Sequence, residues 1–173
     1  MEYFHSIKDS DIFPNPYAEP ESYTDRPTVK GFVLDMDNKI ALIWHPTEEY
    51  GLLPGGGIEE GETAEAAFIR ECKEEIGCDV EILSKVGVAV QYRAKDGRRF
   101  ETHFYIAKVV GEKGLPTTTQ EDELSIVTRW MSEDELKTQL EEQITFTSPE
   151  WYQRQFNSHT HHAAFKKYLA EKN

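Results

Sequence analysis

Three glutamates lie close together on what the sequence predicts to be a single helix. Glu71 and Glu75 are four positions apart and Glu74 lies three positions after Glu71, so the three side chains occupy neighbouring places on the helix surface. On a helical wheel Glu71 and Glu75 point toward the apolar side, where an unpaired carboxylate is costly to bury. Carboxylate oxygens that converge on one point suit Mg²⁺ or Mn²⁺ better than zinc. The spacing therefore predicts a metal site whose ligands are Glu71, Glu74 and Glu75.

The helix that carries these glutamates is predicted over residues 63–76. Thr63 is a favourable N-cap, and Gly77 is a residue type that commonly ends a helix. Apolar residues recur at every fourth position and form one stripe, which consists of Ala64, Phe68, Cys72 and Ile76. Glu74 and Glu75 stand in the last turn, where the helix dipole disfavours negative charge. A helix that breaks two design rules, one for burial and one for the dipole, is typical of a functional site.

A run of glycines comes immediately before this helix. Residues 53–57 read Leu-Pro-Gly-Gly-Gly, and a backbone without Cβ atoms can approach a phosphate closely or offer a carbonyl oxygen to a metal. Such runs are also common in flexible turns, so it is the position of this one, directly before the acidic helix, that gives it meaning. We expect Gly55 and Gly56 to lie against the substrate.

Together these residues resemble the Nudix box, whose pattern is Gly-x5-Glu-x7-Arg-Glu-U-x-Glu-Glu-x-Gly-U, where U is an apolar residue. The resemblance extends from Gly56 to Cys78, and every fixed position is filled, by Gly56, Glu62, Arg70, Glu71, Glu74, Glu75 and Gly77. It implies an α/β fold of the α+β type, a Nudix-type α/β/α sandwich with a mixed β-sheet. It also implies hydrolysis of a nucleoside diphosphate linked to another moiety, by water, with Mg²⁺ or Mn²⁺ as cofactor.

The same resemblance implies roles for single residues of the box. Glu71 and Glu75 would be the main metal ligands, and the carbonyl of Gly55 would complete the metal shell. Glu74 would be a further ligand or the proton acceptor. Arg70, which directly precedes the ligands, would orient a glutamate of the box through an ion pair.

Two further sets of charged residues lie outside the box. Many Nudix enzymes carry another acidic residue on a loop, and Glu121 and Glu123 stand at the corresponding place as a base or extra ligand, with a solvated acidic loop as the alternative. Four basic residues surround a predicted hairpin turn: Arg93, Lys95, Arg98 and Arg99. These residues either promote solubility or contact a phosphate, and for the second role we single out Arg93 and Arg98.

The chain as a whole has 173 residues and a formal net charge of −13, which argues against duplex DNA and anionic membranes as partners. No stretch is long and apolar enough to be a membrane span, and residues 1–11 lack a secretory pattern. We therefore expect a cytoplasmic enzyme that acts on a nucleotide-type small molecule and binds neither nucleic acid nor membrane. The sequence leaves the oligomeric state open, a homodimer being one option.

The length predicts a single Nudix hydrolase domain over residues 1–173. Residues 1–27 contain four prolines and are predicted to form an N-terminal arm, with a short strand within it as one option, and the regular strands are predicted from Val29 onward. A capping box predicts a helix after Ser132, and residues 149–173 are predicted to form a C-terminal helical extension.

Three alternatives were weighed against this interpretation. A Nudix-fold sensor would bind a nucleotide without cleaving it, but such proteins usually have an eroded box. An isomerase of prenyl diphosphates needs a cysteine outside the box, whereas Cys72 and Cys78 both lie inside it. The cluster of His159, His161 and His162 suits a transition metal, yet it lacks cysteines or a second spaced pair, so a surface face of a helix is the favoured interpretation.

Overall fold

A seven-stranded mixed β-sheet is the centre of the computed structural model, which describes residues 3–117, 126–146 and 148–172. Its strands are β1 (Tyr3–Lys8), β2 (Thr24–Leu34), β3 (Ile40–His45), β4 (Tyr50–Leu52), β5 (Asp79–Arg93), β6 (Arg98–Val110) and β7 (Val127–Met131). They are ordered β1-β5-β6-β2-β3-β4. The remaining strand, β7, pairs with β3 along the edge that β4 does not occupy. The pairs β1–β5 and β2–β6 are parallel, whereas the other pairs are antiparallel.

Helices cover both faces of this sheet. They are α1 (Asp9–Ile12), α2 (Ala64–Ile76), α3 (Glu133–Gln143) and α4 (Tyr152–Glu171), with a 3₁₀ turn at Pro149–Trp151. Successive side chains of a strand point to opposite faces, so Phe32 of β2 packs with Phe165 of α4 while Val33 packs with Phe68 of α2. The predicted α/β/α sandwich on a mixed sheet is therefore confirmed.

The predicted acidic helix is present as α2. The Thr63 hydroxyl accepts a hydrogen bond from the Ala66 amide at 3.1 Å, and Gly77 ends the helix with a φ of 67°. The apolar stripe is buried against the sheet, which fixes how the helix is rotated about its axis. Both cysteines are free and buried.

The sheet opens between β2 and β3, and this opening positions the site. Among the described residues these two strands pair only at Leu34 and Ile40. The glycine run occupies the gap: the Val29 amide donates to the Gly56 carbonyl at 2.9 Å, and the Gly31 amide donates to the Pro54 carbonyl at 3.1 Å. The loop thus continues the sheet for a short distance, with α2 on one side and the face of α3 and α4 on the other.

Both ends of the chain differ from the sequence-based expectation. The predicted arm contains β1, which joins the sheet beside β5, and β2 already begins at Thr24 rather than at Val29. The predicted extension is α4, whose Ala164, Phe165 and Tyr168 belong to the buried core. Short strands and a helix with a weak apolar pattern gain their stability from tertiary packing, which a sequence pattern does not show.

A single carboxylate joins the two ends. Asp9 is 3% exposed, and its Oδ1 accepts hydrogen bonds from the Ala94 amide at 2.8 Å and from the Tyr152 hydroxyl at 2.7 Å. The residue after β1 is therefore tied to the hairpin between β5 and β6 and to the first residue of α4. None of the helices among the described residues has both the length and the apolar character that a membrane span requires.

If α4 is part of the cooperative core, truncating its central aromatic residue should destabilise the whole domain. Phe165 is 1% exposed and packs against Phe32 and Tyr168. We expect Phe165→Ala to lower the free energy of unfolding by about 3–5 kcal/mol in urea titrations. The control Leu83→Ala changes a residue that is 53% exposed, so its effect should stay within about 0.5 kcal/mol. Equal stability of the two variants would contradict the role of α4.

Candidate active site

The carboxylate of Glu75 lies at the glycine run. Glu75 is 8% exposed, and its Oε2 accepts a hydrogen bond of 2.7 Å from the Gly55 amide. Gly55 has a φ of 130°, and a Cβ atom there would come within 2.2 Å of the Val29 carbonyl oxygen. A side chain at this position would therefore push the loop off β2 and away from Glu75.

The carboxylate of Glu71 lies against the next residue of the loop. A Cβ atom on Gly56 would come within 2.6 Å of Glu71 Oε1, so only glycine allows this approach. Burial raises the pKa of the Glu71 carboxyl, although the neighbouring Arg70 guanidinium acts in the opposite direction. Glu71 and Glu75 thus hold two carboxylates against two successive glycines.

Arg70 connects the loop to the helix. Its Nε and Nη2 each donate to a carboxylate oxygen of Glu62 at 3.0 Å, and Nη2 also donates to the Gly57 carbonyl at 3.0 Å. Its Nη1 donates to Glu71 at 2.8 Å and to Glu74 at 3.2 Å. Hydrogen bonding to Arg70 lowers the pKa of the Glu62 carboxyl. One guanidinium therefore offsets part of the negative charge of the box and sets the orientation of its glutamates.

The three glutamates of the helix do not converge on one point as the spacing predicted. Within the described ranges no three carboxylate, imidazole or thiol groups are arranged to hold a metal ion. The reason is the network just described, because Arg70 draws Glu71 and Glu74 toward itself while Glu75 is bonded to Gly55. The side chain of Glu74 is also 38% exposed.

The residues around Gly55 nevertheless fit a cation. The donors available are the carboxylates of Glu71 and Glu75 and the carbonyl oxygen of Gly55, an all-oxygen set suited to Mg²⁺ or Mn²⁺. The Lys30 ammonium group donates to this carbonyl and lowers the pKa of Glu71 through its charge. A positive group is therefore already bonded to one of the three donors, the Gly55 carbonyl.

A cleft of about 520 Å³ opens from Gly56 on the opposite face of the sheet from α2. Its floor consists of side chains from β2, β5 and β6, and α4 forms one wall. Four basic side chains line it, namely Arg26, Lys30, Arg93 and Arg98, against one acidic side chain, Asp96. The cleft is thus positively charged in a chain whose formal net charge is −13.

Only two of the four basic residues of the hairpin line the cleft. Arg93 and Arg98 line the cleft together. Arg99 is paired elsewhere, with Asp25 at 3.1 Å and Glu101 at 2.8 Å.

Arg93 is the buried member of this set. It is 4% exposed, and burial lowers the pKa of its guanidinium to about 10. Its Nε donates to Gln91 Oε1 at 2.8 Å, and its Nη2 donates to Asn157 Oδ1 at 2.7 Å. The guanidinium lies 4.0 Å from the centre of the Phe100 ring. It forms no ion pair with a carboxylate among the described residues, so its positive charge remains uncompensated by direct contact.

The prediction that the segment His159–His162 forms a surface face is wrong for Thr160 and His161, which are both buried. Thr160 is fully buried, and its hydroxyl accepts a hydrogen bond of 2.9 Å from Gln91 Nε2. His161 is 2% exposed, lines the cleft, and packs edge-on against Phe104. Its Nδ1 has no hydrogen-bond partner in the described part of the chain. The side of α4 that carries Thr160 and His161 therefore lies on the sheet. The weak apolar pattern of this helix does not indicate that contact.

Several lining residues were missed at the level of sequence. Arg26, Thr28 and Lys30 alternate along β2 and therefore project to one face. Alternation of polar residues indicates a strand with one polar face. The sequence-based prediction places the first of these residues in the N-terminal arm, so the strand and its polar face are not recognised. The loop residues Glu121 and Glu123 lie outside the described residues.

The burial of His161 has a consequence for stability at low pH. Its pKa lies well below the ordinary value, because burial disfavours the charged imidazole and Lys30 and Arg93 repel it. The unfolded chain takes up a proton on this side chain below about pH 6.5 and the folded chain does not, so stability falls with pH in that range. We expect His161→Gln to flatten this fall by up to about 1.4 kcal/mol per pH unit in urea titrations. Identical pH profiles for the two proteins would contradict this assignment.

Known proteins are similar to this chain in sequence and in fold. Residues 24–155 match the family model of the NUDIX domain. A Bacillus subtilis (strain 168) protein named an 8-oxo-dGTP diphosphatase is 30% identical over 88 residues, which are 51% of this chain and 56% of that protein. The ADP-ribose pyrophosphatase of Methanocaldococcus jannaschii is 44% identical over 59 residues, 32% of this chain and 35% of the relative. The chain thus matches about half or less of the length of these curated relatives.

Solved structures share the fold. The NUDIX hydrolase from Nitrosomonas europaea superposes with a TM-score of 0.61 at 23% identity, covering 87% of this chain and 92% of that one. The MutT protein from Methanosarcina mazei Go1 gives a TM-score of 0.55 at 18% identity, covering 90% and 99%. Since the matched residues 24–155 are well over half of the chain and contain the glycine run, Arg70 and the glutamates of α2, the chain belongs to the Nudix family.

Proposed function

We propose that this protein hydrolyses a nucleoside diphosphate linked to another moiety, with Mg²⁺ or Mn²⁺ as cofactor. The observation that carries the proposal is the meeting of two features at Gly56. The carboxylates of Glu71 and Glu75 approach the glycine run from the side of α2, and the positively charged cleft begins on the other side. A cation held by carboxylates next to a cleft lined by arginine and lysine is an arrangement suited to a diphosphate group.

The proposed reaction breaks a phosphoanhydride bond with water. Oxygen of the water attacks a phosphorus atom and forms a new P–O bond, while the bond from that phosphorus to the bridging oxygen breaks and the bridging oxygen leaves with the electron pair. A bound Mg²⁺ would neutralise charge on the phosphates and lower the pKa of water. Cysteine is not the nucleophile in this proposal, because burial raises the pKa of the Cys72 and Cys78 thiols.

The residues of the box have separate tasks in this reaction. Glu71, Glu75 and the Gly55 carbonyl would hold the cation, and Arg70 keeps Glu71 in place. Glu74 keeps its more exposed carboxylate within reach of Arg70 and serves as a further ligand or as acceptor of the water proton. Lys30 lines the cleft and donates to the Gly55 carbonyl, and with this carbonyl engaged by a cation the Lys30 ammonium group would be available to contact a phosphate.

The binding of the substrate is assigned to the loop and the cleft. Gly55 and Gly56 let the phosphates approach the backbone, and Arg93 and Arg98 supply positive charge farther along the cleft. The names of the two curated relatives, an 8-oxo-dGTP diphosphatase and an ADP-ribose pyrophosphatase, support a nucleotide-type substrate. A panel of nucleoside triphosphates, sugar nucleotides and dinucleoside polyphosphates, scored by release of phosphate and pyrophosphate, tests the activity. Binding without turnover across the panel would favour the nucleotide sensor instead.

Glu75→Gln tests the metal ligand assignment. The amide oxygen of glutamine can still accept the Gly55 hydrogen bond, so the fold should persist. The loss of charge weakens cation binding, and we expect kcat to fall by about 100-fold or more. The matched control is Glu60→Gln, which changes an exposed glutamate of the neighbouring loop. Turnover of Glu75→Gln at the wild-type rate under limiting Mg²⁺ would refute the assignment.

The identity of the base is a separate prediction, made from the sequence. We propose that Glu121 or Glu123 accepts the water proton when substrate is bound, since acidic loop residues of this kind can close over a site. In single-turnover assays one of Glu121→Gln and Glu123→Gln should lose most of its chemical rate, about 100-fold, with near-normal affinity for Mg²⁺. Full activity of both variants would assign proton acceptance to Glu74.

A further inference from the structure

The cations of the cleft lie together on one surface without ion-pair partners among the described residues. Arg26, Lys30, Arg93 and Arg98 form no ion pair within the described ranges, whereas Arg70 and Arg99 each pair with two or more carboxylates. The chain has an excess of 13 negative charges from which partners could come. Four unpaired cations on one cleft therefore indicate a ligand that is itself an anion.

These cations stand at two separate ends of the cleft. At the end near the box, Lys30 bonds to Gly55. The backbone of Arg26 pairs with Phe100, and its side chain extends toward the box, where the guanidinium lies 3.5 Å from where a Cβ atom of Gly57 would be. At the hairpin end are Arg93 and Arg98, which stand opposite each other in the β5–β6 ladder.

The backbone positions that carry Lys30 and the Arg93–Arg98 pair lie far apart along the strands. Lys30 stands opposite Phe104 on β6, and Arg93 stands opposite Arg98 on the same strand. Six residues of β strand separate those two positions, which is about 20 Å. Measured only from Phe100, on which the Arg93 guanidinium lies, the separation is still about 13 Å. A diphosphate held at the box therefore leaves the hairpin end without its anion.

Arg93 is prepared for such an anion. Its guanidinium is held in place by Gln91 and Asn157, whose side chains are neutral and accept hydrogen bonds without cancelling its charge. Stacking on Phe100 orients the guanidinium plane and recovers part of the cost of burial. Asp96 lines the same cleft and its charge favours the charged form of Arg93, but it forms no ion pair with Arg93. A ligand phosphate in direct contact would relieve more of the cost of burying this charge.

We propose that the hairpin end of the cleft is a second anion site, so that the substrate is a diphosphate compound with a further phosphate group at the end remote from the scissile bond. The proposal rests on the function proposed above, because it places the scissile diphosphate at the box. In this arrangement Arg93 and Arg98 bind the remote phosphate, and Asn157 of α4 is a positioning residue that holds Arg93. The non-reacting moiety of the substrate spans the distance between the two ends.

The test uses matched synthetic ligands. Adenosine diphosphate is esterified to unbranched alkyl chains that end either in a hydroxyl or in a phosphate, in a series of increasing chain length. We expect wild-type kcat/KM to favour the phosphate-ended member by about 10- to 100-fold at the length that reaches Arg93, and not at shorter lengths. Because the remote phosphate takes no part in the reaction, the preference should lie in KM rather than in kcat.

Three variants separate the anion site from other effects. Arg93→Gln and Arg98→Gln should each lower kcat/KM far more for the phosphate-ended ligand than for the hydroxyl-ended ligand, so that most of the preference between the two ligands is lost. Arg98 is exposed, so its variant keeps the test valid if Arg93→Gln does not fold. The control Arg99→Gln changes a hairpin arginine that does not line the cleft and should retain the full preference.

Equilibrium binding of the same ligands in the presence of a metal chelator distinguishes the two proposals. Tighter binding of the phosphate-ended ligand that depends on Arg93 and Arg98, together with no hydrolysis of any ligand when Mg²⁺ or Mn²⁺ is supplied in place of the chelator, would support the anion site and refute the proposed activity. Equal binding and equal kcat/KM for both ligand ends in the wild-type protein would overturn the second anion site, whether or not hydrolysis occurs.

Discussion

The structure depends on one opening in the sheet, between β2 and β3, that is filled by glycines. Strands that part leave backbone groups without partners, and the run at residues 53–57 supplies those partners while remaining thin enough to be approached from both sides. Glu71 and Glu75 reach it from the α2 side, and the cleft reaches it from the side of α4. A Cβ atom at Gly55 or Gly56 would collide with β2 or with Glu71, so this meeting point exists only with glycine.

Electrostatics around that point are arranged in two layers. Arg70 gathers Glu62, Glu71 and Glu74 and so reduces the repulsion among carboxylates that would otherwise work against folding. On the other side of the glycines the cations are left without carboxylate partners among the described residues, which makes the cleft attractive to phosphates. A strongly acidic chain thus has a positively charged cleft beside the glycine run, and this is the surface to which we assign the substrate.

The two ends of the chain contribute to the binding surface. The wall of the cleft comes from α4, which is anchored by Phe165 and Tyr168 in the core and by the hydrogen bond from Tyr152 to Asp9. The same Asp9 carboxylate holds the Ala94 amide, at the turn that carries Arg93 and Arg98. The first strand and the last helix therefore hold the hairpin end of the cleft in position, and changes in either segment are expected to alter substrate preference more than the chemistry at the box.

The sequence by itself determined the helix with its cap and end, the glycine run, the membership of the box and the type of fold. These follow from local rules, since capping, apolar spacing and the conformational freedom of glycine act between residues that are near each other in the chain. The hairpin was likewise predictable from Gly97 and its neighbours. The sequence allowed its arginines to be proposed as phosphate contacts, but it did not show which of them line the cleft.

Only the tertiary structure decided how these parts meet. Tertiary contacts orient Glu74 toward Arg70 rather than toward a metal site shared with Glu71 and Glu75. They also pair Arg99 away from the cleft that Arg93 and Arg98 line, and they bury His161 against Phe104. The tertiary structure also drew β1 and α4 into the sandwich, although neither carries a strong local pattern. The physical reason is the same in each case: the outcome depends on partners distant in the chain, whose position is set by packing and long-range pairing rather than by local sequence.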